Sequence, residues 1–346
     1  MVALDSPLLF WKQVAFNPSA VSRICVRATN WIGDAVMSLP AIRAIRGIFP
    51  HAHLAVLAKP WVADLYARET AIDQVIPYTG TRREIAARLR AERFDAAILL
   101  QNAFDAALIA WLARIPVRIG YNRDGRGLLL TNAIEVPEPG EIPRHERFYY
   151  LELLRRAGLM ERFPVEDAIR LDGLPEARTE GLAHLARLGI EGAVIGLSPG
   201  AAYGTAKRYP YFGEVAREFA TMPVLLFGSA SERELCASVA AQLPNAHNLA
   251  GQTTLREFIA LASVCRVFLT NDSGAMHIAS AAGVPTVTVF GATDDTTTGP
   301  TGPLARVVRE HAECAPCLLR ECPIDHRCMT RVSPERVAAV AREFLE

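Results

Sequence analysis

The sequence predicts an α/β protein made of two doubly wound domains with parallel sheets. Short β-branched runs alternate with longer amphipathic segments in both halves of the chain, which is typical of parallel strands crossed by helices. At 346 residues, the chain is longer than one hydrophobic core usually organises. Its formal net charge of zero disfavours a protein built mainly to hold nucleic acid.

The first half begins with a strand and closes with an amphipathic helix that Gly158 ends. Pro40 falls inside the first helix and predicts a kink or a late start there. The predicted strands are Ile24–Arg27, His53–Ala58, Gln74–Ile76, Ala96–Leu100 and Val117–Gly120. The predicted helices are Ala35–Ile48, Ala63–Arg68, Arg82–Glu92, Ala106–Leu112 and His145–Gly158.

Residues 159–190, punctuated by Pro164 and Pro175, are predicted as a link before the alternation resumes. The strands of the second half are Ala193–Leu197, Val224–Phe227, Ala246–Leu249, Arg266–Leu269 and Thr286–Phe290. Its helices are Phe212–Ala220, Glu232–Gln242, Leu255–Ala262, Ala275–Ala282 and Pro334–Leu345, the last capped by Ser333.

These patterns predict an extension at 1–22, domains at 23–170 and 171–332, and a helix within 333–346 that could cross back to the first domain. No signal peptide or transmembrane helix is predicted, because residues 1–22 lack a basic region with a cleavage site and no run of 18 apolar residues is uninterrupted. We expect ligands in the cleft between the domains, at the carboxyl ends of the strands.

The stretch 270–283 carries the strongest functional signal, because it leaves a buried strand and opens a helix of small residues. Asp272, Ser273 and Gly274 occupy the first turn, where unpaired N–H groups and a partial positive charge suit a phosphate. A simple N-cap is the alternative for this turn. His277 lies one turn further on the same face as Ser273, and a purely structural histidine is the alternative there.

Asp34 lies in a loop that follows the first strand, and it is the candidate general base. The alternative is an aspartate that only caps the next helix. No G-x-G-x-x-G follows this strand, which disfavours a dinucleotide-binding dehydrogenase.

Two loops of the second half are candidates for binding an activated donor. In the first, Gly200 and Ala201 leave room for a ligand, and Lys207 and Arg208 could offset phosphate charge unless they are surface cations. In the second, Glu232 could accept hydrogen bonds from a ribose diol. The alternative is an acidic residue that merely suits the first turn of a helix.

Four cysteines lie close together in sequence near the C-terminus, at Cys314, Cys317, Cys322 and Cys328. Their spacing, with His326 nearby, could supply a tetrahedral zinc site, although it is tighter than that of common zinc ribbons. Disulfides and a reduced loop that positions the last helix are the alternatives, and a catalytic thiol is disfavoured because no base is paired with it.

Taken together, the motifs resemble glycosyltransferase family 9. They are Asn30-Trp-Ile-Gly-Asp34, Pro199-Gly-Ala201, Ala206-Lys-Arg208, Asn271-Asp-Ser-Gly-x-Met-His277 and Cys314-Ala-Pro-Cys317, and the resemblance runs from residue 23 to the C-terminus. It implies a GT-B fold and inverting transfer of a heptose from ADP-L-glycero-D-manno-heptose to the heptose and Kdo inner core of lipopolysaccharide. By position, Asp34 matches the proposed base and Lys207 a lysine near the donor phosphates. Glu232 matches the ribose-binding acid, with Glu234 as an acceptable substitute, and Asp272, Ser273, Gly274 and His277 match the donor-binding turn.

The resemblance also implies no required cofactor beyond the ADP-heptose donor, a lipid A–core acceptor, and a cytoplasmic enzyme in peripheral contact with the inner membrane. Acceptor contacts are expected from first-domain loops, at Asn30, Trp31, Asn102, Tyr121 and Arg126, with Gln101, Arg123 and Arg144 as further candidates. A sugar-nucleotide epimerase or hydrolase of the same fold, and a non-catalytic nucleotide-sugar binder, are the rival functions.

Overall fold

The computed structural model describes residues 20–345. The first sheet contains β1 (Arg23–Arg27), β2 (His53–Ala58), β3 (Gln74–Pro77), β4 (Ala96–Leu99), β5 (Val117–Tyr121) and β6 (Asn132–Ile134). Its helices are α1 (Ile32–Ile48), α2 (Pro60–Tyr66), α3 (Arg82–Ala91), α4 (Phe104–Leu112) and α5 (Arg147–Arg156). The strand order β3-β2-β1-β4-β5-β6 reverses direction between β1 and β4, which creates a crevice at their carboxyl ends.

The second sheet follows the same plan, beginning after α6 (Leu174–Arg187). Its strands are β7 (Ile195–Ser198), β8 (Val224–Leu226), β9 (Ala246–Asn248), β10 (Val267–Asn271), β11 (Thr286–Val289) and β12 (Ala305–Val308), in the order β12-β11-β10-β7-β8-β9. Its helices are α7 (Phe212–Arg217), α8 (Arg233–Ala240), α9 (Leu255–Ser263), α10 (Gly274–Ala281), α11 (Asp295–Thr298), α12 (Arg327–Thr330) and α13 (Pro334–Arg342). The neighbouring strands whose register is defined all pair in parallel in both sheets.

The two halves are packed together through α1 and α10. Ile278 and Ala281 of α10 belong to the same buried cluster as Ile42 and Ile45 of α1. Strands buried on both faces explain the near-continuous apolar runs in the sequence. The contact between α1 and α10 fixes the carboxyl ends of β1 and β10 on opposite walls of one cleft.

Three structural predictions are wrong. Residues 159–190, predicted as a link, contain the helix α6. Pro175 lies in the first turn of α6, where its missing N–H breaks no intrahelical hydrogen bond. The late start at Pro40 does not occur: α1 begins at Ile32 and runs through Pro40, which is buried. The last helix does not cross to the first domain, because α13 packs on α7, β11 and β12 of the second.

Two edge strands, β6 and β12, were not predicted, because they are short and carry little hydrophobic pattern. Ser333 caps α13 as predicted, since its side chain accepts a hydrogen bond from the N–H of Arg336. The predicted extension at residues 1–22 falls mostly outside the described residues, which begin at residue 20. Within residues 20–345, no helix is both long and apolar enough to cross a bilayer.

Candidate active site

The loops at the carboxyl ends of the strands enclose one continuous cleft. It consists of two cavities of about 690 and 630 Å³. Both are lined by Ile32 and Trp61 from the first half and by Ala202, Ser273 and Gly274 from the second. The turn at Ser273–Gly274 therefore lies where the two cavities join, and a ligand that filled both would pass over it.

Two glycines allow the walls of the cleft to touch. A Cβ added to Gly274 would lie 2.8 Å from the Cβ of Ile32, and one added to Gly33 would lie 2.9 Å from Cδ2 of His277. Neither position tolerates a side chain without movement of its neighbours. The loop before α1 and the first turns of α10 thus form one packed unit.

Asp34 lines the smaller cavity from the first turn of α1. It does not cap the helix, because Trp31 occupies the N-cap position. Burial raises the pKa of Asp34 to about 6, and the charge of Lys207 opposes that shift. Such a carboxylate is ionised at neutral pH and is more basic than an exposed aspartate, which suits a general base.

Lys207 and Asp272 form a buried ion pair on the opposite wall. The Nζ atom of Lys207 lies 2.5 Å from Oδ2 of Asp272, which also accepts a hydrogen bond of 2.5 Å from the hydroxyl of Thr293. Lys207 also lies 4.6 Å from the ring centroid of Tyr203. These contacts hold the ammonium group in the cavity that Asp34 lines.

Asn271 ties the donor-side loop to the end of β10. Its amide donates to the carbonyls of Pro199 and Gly200 at 2.7 and 3.2 Å, and its carbonyl oxygen accepts from the N–H of Tyr209 at 2.9 Å. Gly200 and Ala201 line the larger cavity as a result. Arg208 is not among the residues that line either cavity, so the structure does not bring it to the predicted donor site.

Glu232 lines the larger cavity and also forms a capping box with Ser229, so both of its predicted roles are compatible. Its carboxylate accepts from the N–H and the hydroxyl of Ser229, each at 2.8 Å. A Cβ on Gly200 would lie 2.0 Å from Oε1 of Glu232, so only glycine fits there. Glu234 is exposed and does not line the cavity.

His277 is buried and lines the smaller cavity. Burial lowers the pKa of His277 to about 4, so its imidazole is neutral at physiological pH. A neutral ring adds no charge to the cleft. The ring of His277 packs against Gly33 across the junction between the two halves of the chain.

Two predicted acceptor residues, Arg126 and Tyr121, are buried away from the cleft. Arg126 is fully buried, and its guanidinium donates to the carbonyl of Tyr121 and to the side chain of Asn102. Tyr121 is buried, with its hydroxyl donated to the carbonyl of Tyr149, and Asn102 donates to the Tyr149 hydroxyl. The polar groups of Arg126 and Tyr121 satisfy the loops after β4 and β5, so they are not free to bind a sugar. Asn102 is only partly buried and stays a candidate for acceptor binding.

Asn30 and Trp31 do line the smaller cavity. Trp31 lies at the mouth of this cavity and is 61% exposed. The carbonyl of Asn30 accepts a hydrogen bond of 2.8 Å from the indole of Trp61, which orients a second tryptophan into the cleft. Trp61 follows the carboxyl end of β2, so the rule that singled out Asp34 could also have found it.

Residues 144–146 of the first half form hydrogen bonds with residues 294–299, in and around α11, and the sequence did not predict these contacts. Arg144 donates to Asp294 at 2.6 Å, His145 contacts the carbonyl of Gly299 at 3.0 Å, and the N–H of Glu146 donates to the carbonyl of Thr297 at 2.9 Å. Arg144 is therefore a bridge between the halves rather than a demonstrated acceptor contact. Burial, together with the charge of Asp34, raises the pKa of Glu146 to about 7.

The four cysteines Cys314, Cys317, Cys322 and Cys328 follow the loop after β12. Among residues 20–345, no three histidine, cysteine or carboxylate side chains are arranged to hold one metal ion. Cys314 is exposed, whereas Cys328 is buried against Gly291, and the described cysteines are free thiols. The segment instead packs against the loop that carries Lys207, through a hydrogen bond of 3.0 Å from the N–H of Ala206 to the carbonyl of Arg320.

Comparison with known proteins agrees with this architecture. The model of the family described as glycosyltransferase family 9 (heptosyltransferase) matches residues 82–327. Lipopolysaccharide heptosyltransferase 2 of Salmonella typhimurium is 32% identical over 309 residues, which cover 83% of this chain and 88% of that protein. The protein of the same name from Escherichia coli K12 is 31% identical over the same shares of the two chains.

Among solved structures, that of Escherichia coli ADP-heptose lps heptosyltransferase II superposes with a TM-score of 0.80 at 29% identity. The match covers 93% of this chain and 98% of that one. The predicted GT-B architecture, with two parallel sheets facing a cleft, is therefore confirmed.

Proposed function

Because the chain belongs to glycosyltransferase family 9, we propose that it transfers a heptose from ADP-L-glycero-D-manno-heptose to the inner core of lipopolysaccharide, with inversion at the anomeric carbon. The donor and the acceptor class are supported by relatives that are lipopolysaccharide heptosyltransferases, one of them an ADP-heptose lps heptosyltransferase. Similarity to proteins called heptosyltransferase 2 favours transfer onto a heptose already present in the core. The observation that carries the proposal is a single cleft with Asp34 on one wall and Lys207 on the other.

We assign the larger cavity to the nucleoside. Its apolar lining from Phe227, Leu255 and Phe258 suits an adenine ring. Glu232, beside Gly200, suits the ribose hydroxyls. The diphosphate would then cross the first turn of α10, where backbone N–H groups and the helix dipole favour negative charge.

The chemistry follows from the two walls. Asp34 accepts the proton of an acceptor hydroxyl as that oxygen forms a bond to the anomeric carbon. The bond from the anomeric carbon to the phosphate oxygen breaks on the opposite face, and ADP leaves with the electron pair. Lys207 and the turn at Ser273–Gly274 stabilise the charge that develops on the diphosphate.

We also propose that the enzyme works at the cytoplasmic face of the inner membrane and contacts it through α4. Phe104 and Trp111 lie seven residues apart on this helix and are 46% and 49% exposed, and Leu128 on the adjoining turn is 77% exposed. Of the nine arginines in residues 82–129, eight are at least partly exposed, against five carboxylates and no lysine or histidine. An aromatic and cationic surface suits an anionic lipid headgroup layer.

Product analysis tests the proposed reaction. Purified protein is incubated with ADP-heptose and truncated core acceptors, and the products are weighed by mass spectrometry. The proposal predicts an acceptor heavier by one heptose residue and an equal amount of ADP. Free heptose or an isomerised sugar nucleotide, with the acceptor unchanged, would favour the hydrolase or epimerase instead.

A further inference from the structure

The cysteine-rich loop, residues 314–328, is fastened to the donor-side wall by backbone hydrogen bonds. The N–H of Leu318 donates to the carbonyl of Ala292 at 2.8 Å, and the N–H of Ala206 donates to that of Arg320 at 3.0 Å. The hydroxyl of Tyr203 donates to the carbonyl of Leu318 at 2.5 Å. These bonds place the loop beside the segment that carries Lys207.

This attachment brings the side chain of Arg320 into the smaller cavity, together with Lys207 and Asp34. The ring of Tyr203 contacts both cations. The guanidinium carbon of Arg320 lies 5.1 Å from the ring centroid, and Nζ of Lys207 lies 4.6 Å from it. One aromatic side chain thus positions two cations in the same cavity.

The two cations differ in how their charge is balanced. Asp272 neutralises Lys207 in a buried pair. Within residues 20–345, no carboxylate lies within 4 Å of the Arg320 guanidinium, whereas Arg327 of the same loop pairs with Asp325 at 3.0 Å. Among the described cavity-lining residues, Arg320 is therefore the cation whose charge is still available to an anion.

We infer that Arg320 binds a phosphate group in this cleft, an inference that rests on the proposed function and deepens it. A guanidinium can donate two parallel hydrogen bonds to phosphate oxygens, and an exposed side chain can reorient to do so without unfolding the loop. The phosphate can come from the diphosphate of the donor or from a phosphorylated acceptor core. The cysteine-rich loop then serves to hold the side chain of Arg320 in the cleft.

Calorimetry with Arg320→Gln tests the inference, with Arg327→Gln as the matched control in the same loop. If the donor diphosphate is the ligand, Arg320→Gln weakens ADP binding about tenfold and leaves adenosine binding unchanged. Arg320→Lys should lose less affinity for ADP, because lysine keeps the positive charge but cannot donate two parallel hydrogen bonds. Arg327→Gln should bind ADP as the unmodified protein does, and all variants should melt within a few degrees of it.

The second arm compares KM for phosphorylated and dephosphorylated core acceptors. If the ligand is an acceptor phosphate, Arg320→Gln raises KM about tenfold for the phosphorylated acceptor alone, with ADP binding unchanged. Unchanged ADP affinity together with an unchanged KM for both acceptors would overturn the inference. If the unmodified protein transfers no heptose but binds ADP through Arg320, the proposed function fails while this inference stands.

Discussion

The imidazole of His277 lies directly against the Cα atom of Gly33, so that a methyl group added there would come within 2.9 Å of Cδ2. The two residues belong to opposite halves of the chain. Asp34 follows Gly33 in α1, and Ser273 lies one turn before His277. This contact therefore sets the distance between the proposed base and the turn proposed to hold the diphosphate.

Substitution of Gly33 by alanine should move these walls apart. We expect Gly33→Ala to lower kcat at least about tenfold, because small displacements of reacting groups are costly. Gly47→Ala is the matched control, since it lies in the same helix and an added Cβ meets nothing within 4 Å. It should retain full activity and gain about 0.5–1 kcal/mol of stability. Full activity of Gly33→Ala in steady-state assays would show that this contact does not set the site.

The raised pKa of Asp34 predicts a pH dependence of the reaction. Since the base must be ionised to accept a proton, kcat/KM should rise with pH and level off above about pH 6. A profile that is flat between pH 5 and 8 would show that no group with this pKa controls the step.

The same pKa predicts an effect on stability. The native carboxyl of Asp34 holds its proton more tightly than an unfolded aspartate, whose pKa is 3.8. The free energy of unfolding therefore falls as the pH rises from about 4 to about 6, and it stays lower above that range. Asp34→Asn should be more stable than the unmodified protein at pH 7.5, by on the order of 2 kcal/mol, and similar to it at pH 3.5.

Asp73→Asn is a control, because its effect on the free energy of unfolding should have the opposite sign. Burial alone would raise the pKa of Asp73, but the N–H of Leu54 and the guanidinium of Arg46 hold it below its usual value. Asp73→Asn should therefore destabilise the protein at pH 7.5. A loss of stability in Asp34→Asn at that pH would contradict the account of its burial.

The ion pair between Lys207 and Asp272 can be separated from ligand binding. Lys207→Met leaves a buried carboxylate without its cation, which should cost about 3–5 kcal/mol of stability and weaken ADP binding. The double variant Lys207→Met/Asp272→Asn should recover most of the stability but not the affinity for ADP. Calorimetry that finds normal ADP affinity in the double variant would make Lys207 a structural partner of Asp272 and nothing more.

Membrane contact through α4 predicts binding to vesicles without any acceptor. The protein should sediment with phosphatidylglycerol-containing vesicles and not with phosphatidylcholine alone. A variant with Trp111→Ser and Leu128→Ser should lose most of this binding, but it should keep its turnover on a deacylated, water-soluble acceptor. Leu182→Ser, an exposed leucine on α6, is the control. Undiminished sedimentation of the double variant would exclude this surface.

Much of the fold could be predicted because parallel strands buried on both faces leave apolar runs in the sequence. The cleft walls at Asp34, Lys207 and Ser273 could be located by the same logic, since each follows a strand. Pro175 was wrongly interpreted as part of a link, because the sequence alone does not distinguish a proline that begins a helix from one that interrupts it.

Long-range pairing was beyond the reach of local patterns. Arg126 looked like an exposed loop cation, but it is buried because the backbone carbonyls around it need donors. The position of Arg320 depends on a loop more than 110 residues from Tyr203 in sequence, and no motif signals that contact. The contact between Arg144 and Asp294 across the halves is hidden for the same reason.

The role of Asp34 is tested by comparing Asp34→Asn with the unmodified protein in two measurements made side by side. Because Asp34 is assigned to the acceptor and not to the donor, turnover should fall by a factor of about 10²–10⁴ while the Kd for ADP stays within about twofold. Turnover near that of the unmodified protein would show that this carboxylate does not activate the incoming hydroxyl.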